Sequence, residues 1–328
     1  MNPPDLDIVA IGDAIVDVIA TCDDPFLDAR GFEKGSMRLL SDGEARELYA
    51  AIGTAHEIGG GSAANSMAGA AALGLRTAFI GQVANDQLGA IFAHDMRSLG
   101  VRFETPAIEG PPPTGVCLIL VTPDAQRTMS TCPGASYELT SAALDPELIR
   151  SASVTFLEGY LWGPDRPRSA MLEAARIARA AGRKVAFTLS ESLSIGDRRG
   201  GVLGMIENGF VDILFGNEHE MRSLTGCNAL EQCVEALSPK VGTLIITRGA
   251  AGAIALDGGE HADVPAVPVA EIVDTTGAGD LFAAGFLAGR LRGRSLKECL
   301  EAGTIAAAEI ISHFGARPEA DIKQLVAL

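Results

Sequence analysis

Asp274-Thr275-Thr276-Gly277-Ala278-Gly279-Asp280 runs directly into Leu281-Phe282-Ala283-Ala284-Gly285-Phe286-Leu287-Ala288-Gly289-Arg290-Leu291, a stretch apolar enough to be a buried helix. Two glycines and an alanine leave the backbone of residues 277–279 nearly bare at the predicted helix start. Unpaired N–H groups and the helix dipole favour negative charge there. Asp280 falls in the first turn, with its carboxylate beside that anion pocket. Amides that hold a phosphoryl group, next to a carboxylate that takes up a hydroxyl proton, are the two parts phosphoryl transfer needs. Taken alone, the stretch also fits a tight strand-to-helix turn with Asp280 as a dipole partner. The rest of the chain decides.

Upstream, Thr247-Arg248-Gly249-Ala250-Ala251-Gly252 ends a predicted strand in a turn bare enough to seat nucleotide phosphates. In Phe215-Gly216-Asn217-Glu218-His219-Glu220, Asn217 and Glu220 lie three apart where a strand meets a helix. Their oxygens suit magnesium held through water, and the same spacing suits a helix cap. Gly59-Gly60-Gly61-Ser62-Ala63-Ala64-Asn65-Ser66 leads into an alanine-rich helix. Its glycines let a ligand lie against backbone, and Asn65 offers a donor and an acceptor to a hydroxylated substrate. Close helix packing wants the same small residues. Near the N-terminus, Asp7 to Gly12 is predicted to be a buried strand, followed by Asp13 and Asp17 at its carboxyl end. Ligands of open α/β sheets bind at that end, and a carboxylate there accepts two hydrogen bonds from sugar hydroxyls.

Between these motifs, strands are expected near 153–158, 184–189, 211–215 and 241–247, with helices near 165–181, 199–208, 217–225 and 229–237. That alternation marks a mostly parallel sheet wrapped on both faces. Two β-rich excursions interrupt it, at about 15–40 and 106–133. The second contains a hairpin signature, Thr114 to Thr122 and Arg127 to Cys132 around Pro123-Asp124-Ala125-Gln126. Together they suit one small sheet laid over the site as a lid. No repeat or linker splits the 328 residues, so 1–328 is expected to be a single domain.

The net charge of −16 argues against a nucleic-acid or anionic-membrane partner. It leaves a nucleotide ligand open, since local amides and a metal ion can hold phosphates. Six scattered cysteines fit reduced thiols in the cytoplasm, and the first residues lack a signal-peptide pattern. No apolar run is long enough for a membrane span, and the five histidines have no metal-ligand spacing.

With these motifs in this order, the sequence resembles the phosphofructokinase-B, or ribokinase-like, family of small-molecule kinases over nearly its whole length. Asp274 to Asp280 is similar to the family's second signature, Gly60-Gly61-Ser62-Ala63-Ala64-Asn65 to its first, and Asn217-x-x-Glu220 to its magnesium-associated element. The resemblance implies a three-layer α/β/α fold with a small β-sheet lid, and ATP and Mg2+ as cofactors. It implies that Asp280 is the base and that the amides of Gly277, Ala278 and Gly279 form the anion hole. Asp17, Gly60, Gly61 and Asn65 would hold the ribose-like part of the acceptor. Asn217 and Glu220 would organise water around magnesium. Thr247, Gly249 and Gly252 would follow the ATP phosphates, and Ile311 would flank the adenine. Asp274 and Thr276 match in part a monovalent-cation site, which implies potassium activation.

Ribokinases usually carry lysine where Ser62 stands. Gly60-Gly61-Ser62-x-x-Asn65-Ser66 looks more like adenosine kinases, as does Thr114-Gly115-Val116-Cys117, whose cysteine would lie near the base of the nucleoside. Phe26, Phe32 and Ile119 of the lid, with Tyr160 and Trp162, are candidates to face a nucleobase. The expected reaction is ATP-dependent phosphorylation of a nucleoside 5′-hydroxyl, adenosine first. The alternative is a sugar kinase acting on ribose, fructose or a keto-deoxy sugar acid, for which Arg38, Arg102 or Arg127 would have to meet a carboxylate. A catalytically silent binding protein on the same fold has no need of Asp280. Monomer and homodimer both remain open.

Overall fold

The chain enters the larger of two sheets through Leu6–Ile11 (β1), whose last four residues are buried. The computed structural model describes residues 4–124, 126–190 and 199–327, so Ala125 of the expected hairpin turn lies outside the described residues. Beside β1 on one side stand Thr77–Ile80 (β5) and Arg102–Phe103 (β6); on the other stand Ala152–Glu158 (β9), Lys184–Thr188 (β10), Ile213–Asn217 (β11) and Thr243–Thr247 (β12). All these neighbours pair in parallel. Ala253–Asp257 (β13) and Glu260–Val264 (β14) extend the edge in antiparallel pairing. The last strand ends at Val264, just before Pro265, which has no N–H to pair.

Successive β1 side chains point to opposite faces, and both faces are covered. Ile8 and Ala10 join a core with Phe156, Phe215 and Phe286, whereas Val9 and Ile11 join another with Leu157, Phe187 and Leu214. Helices on both sides are why these strands are apolar along their length rather than alternating. The Ala278–Leu291 helix is buried from Leu281 to Gly289 and packs between the Ser62–Ala72 and Leu296–Ile310 helices. Its first turn is thereby fixed against the residues that begin the Ser62–Ala72 helix.

The smaller sheet has the order Met37–Leu39 (β3), Arg127–Cys132 (β8), Gly115–Val121 (β7), Ile15–Thr21 (β2), Ala55–Gly60 (β4). Four strands fall in the two excursions expected from sequence; β4 does not. Ala55-His56-Glu57-Ile58 carries no apolar run, and its side chains are half-buried or exposed, so nothing in the sequence marks it as a strand. It is held by antiparallel pairing to β2, with Asp17 opposite Ile58. Only Gly12, Asp13 and Ala14 separate β1 from β2, so the chain crosses between the sheets at the carboxyl end of β1. Among the described residues no helix is long and apolar enough to cross a membrane.

Candidate active site

Between the two sheets lies a cavity of about 720 Å3, and the first turn of the Ala278–Leu291 helix forms part of its wall. Gly277 is the N-cap of that helix with φ 79°, a left-handed conformation that costs side-chain-bearing residues energy and glycine little. The Ala278 amide donates to the Thr275 carbonyl at 3.2 Å and closes the turn. That removes one of the three amides expected in the anion hole. Among the described residues, the Gly277 and Gly279 amides have no protein acceptor.

Asp280 faces this cavity. One carboxylate oxygen accepts from Ser62 Oγ at 2.7 Å and the other from Asn65 Nδ2 at 3.1 Å. Burial pushes its carboxyl up to about 6, against the opposing pull of those two donors and of Arg317. Asp17 is raised to about 6 as well, chiefly by burial, with Arg317 and Arg127 lowering it and Asp280 and Asp274 raising it. Asp17 lies so close to Gly60 that a Cβ there would sit 2.5 Å from the Asp17 carboxyl carbon. Gly60 itself therefore makes room for Asp17 rather than lining the cavity, whereas Gly61, Asn65 and Cys117 do line it. Burial and the nearby Asp17 charge push the Cys117 thiol up to about 12.

Asn217 and Glu220 line the same cavity. Each accepts the other's backbone amide, Glu220 N to Asn217 Oδ1 at 2.9 Å and Asn217 N to Glu220 Oε2 at 2.8 Å. The helix-cap reading holds, and the capping box fixes the Glu220 carboxylate at the cavity wall. Of the turn after β12, Thr247 lines the cavity, while Gly249 and Gly252 do not. They close the turn behind it, through a hydrogen bond from Gly252 N to Gly249 O. Ile311 is also set back. It packs against the core, and its carbonyl accepts the Val273 amide at 2.9 Å.

Asp274 is buried with both oxygens committed. Oδ1 accepts from Thr276 N at 3.0 Å and Thr276 Oγ1 at 2.8 Å; Oδ2 accepts from Gly315 N at 3.0 Å and pairs with Arg127 Nη1 at 2.6 Å. Arg127 Nη1 also donates to Thr276 Oγ1 at 3.2 Å. A potassium ion at Asp274 would share its carboxylate with a guanidinium already there, so the residues do not fit that ion in this arrangement.

Of the aromatic candidates only Tyr160 lines the cavity; Ile119 does so too. Trp162 is buried in the core against Phe187. Phe26 and Phe32 pack under Arg30 and Arg38, with guanidinium carbons 3.7 and 3.8 Å from their ring centroids. The small sheet instead offers an aliphatic wall of Ile15, Ile119, Met129, Met37 and Leu39. Arg38 lies at this wall, whereas Arg102 is paired with Glu104 at 2.8 Å on the surface.

Sequence reasoning missed Glu158, which is fully buried beneath the cavity. It accepts the Asp13 amide at 2.5 Å and the Ala63 amide at 2.6 Å. Burial first, then the Asp13 charge, holds its carboxyl well above the usual range. Burial likewise raises Asp13 to about 7, and its buried Oδ1, at the cavity wall, has no hydrogen-bond partner among the described residues. Glu158 ends a strand with no other charged residue, and a lone acid at a buried strand's carboxyl end was the available signal. Arg127 was weighed from sequence only as a partner for a sugar acid's carboxylate, and Arg317 was visible only as an isolated charge.

A sheet wrapped on both faces, with bare amides and a carboxylate at one helix start, defines a phosphotransferase acting on a small hydroxylated molecule. The chain belongs to the pfkB family of carbohydrate kinases, whose model matches residues 5–323, and is an ATP-dependent nucleoside or sugar kinase. It is similar to the adenosine kinase from Sinorhizobium meliloti, at 43% identity over 98% of each chain with a TM-score of 0.91. It is also similar to a probable sugar kinase from Rhizobium etli CFN 42, at 40% identity over 99% of this chain and 98% of the other, TM-score 0.92. A ribokinase from Arabidopsis thaliana is 28% identical over 81% of this chain and 70% of its own length.

Proposed function

We propose that the chain transfers the γ-phosphoryl group of ATP to the 5′-hydroxyl of a nucleoside, adenosine first. The observation that carries this is the placement of Asp280 beside the free Gly277 and Gly279 amides, in the same cavity as Asp17 and Asn65. The acceptor hydroxyl gives its proton to ionised Asp280, its oxygen bonds to phosphorus, and the bond from phosphorus to the ADP oxygen breaks. The two amides and the helix dipole hold the charge on the migrating group. A loose transition state asks for alignment more than for a strong base, which suits a carboxyl at about 6.

Magnesium fits the wall formed by Asn217 and Glu220. Among the described residues no group of three acidic, His or Cys side chains could cage a metal, and a single fixed carboxylate suits an ion that keeps most of its waters. When bound, it would draw charge from the ATP phosphates. Potassium is left out of the reading while Arg127 occupies Asp274. Six unpaired cysteines support a cytoplasmic setting.

The aliphatic wall of Ile15, Ile119 and Met129 supports a nucleobase over a bare sugar. One observation favours the alternative: Arg38 lies at that wall with its Nε buried and without a hydrogen-bond partner among the described residues, which suits a sugar acid's carboxylate. ADP release with Mg-ATP and a panel of adenosine, cytidine, ribose, fructose and a keto-deoxy sugar acid separates the two. Adenosine is expected to turn over with the highest kcat/KM. A sugar or sugar acid ahead of it moves the assignment to the alternative, and no turnover of any ends both.

A further inference from the structure

Three consecutive residues after the Leu296–Ile310 helix brace the catalytic loop from behind. Gly315 donates its amide to Asp274 Oδ2 at 3.0 Å. Ala316 packs on Gly277 so closely that a Cβ on that glycine would lie 2.8 Å from the Ala316 methyl. Arg317 then reaches to the other signature: Nη2 donates to the Gly59 carbonyl at 2.6 Å and Nη1 to the Ala64 carbonyl at 3.3 Å. Those carbonyls flank the turn that delivers Ser62 and Asn65 to Asp280. The guanidinium also lies within electrostatic reach of Asp17, Asp280 and Asp95. Asp95 itself fixes the same turn by accepting the Gly59 amide at 2.7 Å.

We propose that Arg317 is a positioning residue, which ties the 59–64 turn to the 274–280 loop and supplies the counter-charge for the Asp17 and Asp280 carboxylates. The proposal rests on the reading of Asp280 as the base. Arg127 and Asp274 also act on Asp17, Glu158 and Asp280 repel one another with Asp13 beside Glu158, and Asp95 faces Arg317 itself. Acids dominate this set. Arg127 has its own partner in Asp274, and Arg317 is the cation that acts on both Asp17 and Asp280. An opposite charge nearby favours the ionised acid, so its removal raises the carboxyl's proton affinity.

The test is the pH profile of kcat/KM for Arg317→Met and Arg317→Lys. Arg317→Met is expected to move the acid limb upward by about one pH unit and to raise the acceptor KM, since the turn loses its clasp. Arg317→Lys keeps the cation but not the two-carbonyl fork, so its acid limb should stay in place while KM still rises. Arg290→Met, which breaks a surface pair with Asp257, controls for loss of one positive charge and should leave the limb unmoved. An unmoved acid limb in Arg317→Met overturns the proposal. If Arg317→Met fails to fold, Arg317→Lys decides: a limb shifted in the lysine variant overturns it, and an unmoved limb with raised KM supports it. Asp280→Asn measured alongside keeps the two readings apart. Full turnover in that variant removes the base, whereas an inactive Asp280→Asn with an unshifted Arg317→Met removes only the role of Arg317.

Discussion

Replacing Asp280 by Asn keeps the side-chain shape and removes the charge, and its two consequences have opposite signs. Catalysis should fall by about 10²–10⁴, the usual contribution of a positioned base. Stability at neutral pH should hold or rise. The carboxyl is raised from the ordinary 3.8 to about 6, and at 1.36 kcal/mol per tenfold change in proton affinity this corresponds to about 3 kcal/mol. Asp280 is only partly buried, at the wall of an open cavity, and solvent screening brings the figure to about 1–2 kcal/mol. Because the folded-state value lies above the unfolded one, this stability is present below about pH 4 and is lost as pH rises through about 6. Asn keeps one acceptor for Ser62 or Asn65, and losing the other hydrogen bond costs about 1 kcal/mol. Urea denaturation at pH 5 and pH 8, with turnover measured on the same preparations, reads both effects. The wild-type chain should lose about 0.5–1 kcal/mol more than the variant between the two pH values, since about half of the titration is already complete at pH 5. A variant with near-normal turnover, or one that loses stability with pH as steeply as wild type, refutes the reasoning.

Three further outcomes follow from the same geometry. Turnover should be equal in potassium and sodium buffers at constant ionic strength, because Arg127 already neutralises Asp274; strong activation by potassium would mean that Arg127 leaves that carboxylate when substrates bind. Glu220→Gln should preserve the helix cap yet weaken half-saturation by magnesium about 10-fold, and an unchanged magnesium titration would remove Glu220 from the metal's surroundings. The Cys117 thiol, pushed up to about 12, should resist iodoacetamide at pH 8 while the half-buried Cys227 reacts, as mass spectrometry of the digested protein would show.

What the sequence disclosed and what it withheld divide along physical lines. Hydrophobic runs such as those of β1, β9 and β12 announced the large sheet because both of its faces are covered. The small sheet was half-legible: β7 and β8 have a proline-bounded hairpin pattern, while β4 gains its pairing only from β2. In the site, residues clustered in local motifs were found together, among them Gly61, Asn65, Asn217, Glu220 and the 277–280 turn. Arg127, Glu158 and Arg317 were not, since each acts on partners far away in the chain: 147 residues in the case of Arg127 and Asp274 and 253 in that of Arg317 and Ala64. Tyr160 does line the cavity, but Trp162 misled because a ring near a strand end is as well suited to the core, where it packs. The small sheet's share of the cavity wall is aliphatic. Periodicity tells buried from exposed; it does not tell core from cavity.

The most direct measurement is a crystal structure with adenosine, ADP, magnesium and a planar metal fluoride that mimics the phosphoryl group in flight. The account predicts fluoride atoms on the Gly277 and Gly279 amides and the adenosine 5′-oxygen within hydrogen-bond distance of Asp280, with Ser62 displaced from that carboxylate. A fluoride bound away from the helix start, or a 5′-oxygen out of reach of residue 280, would contradict it.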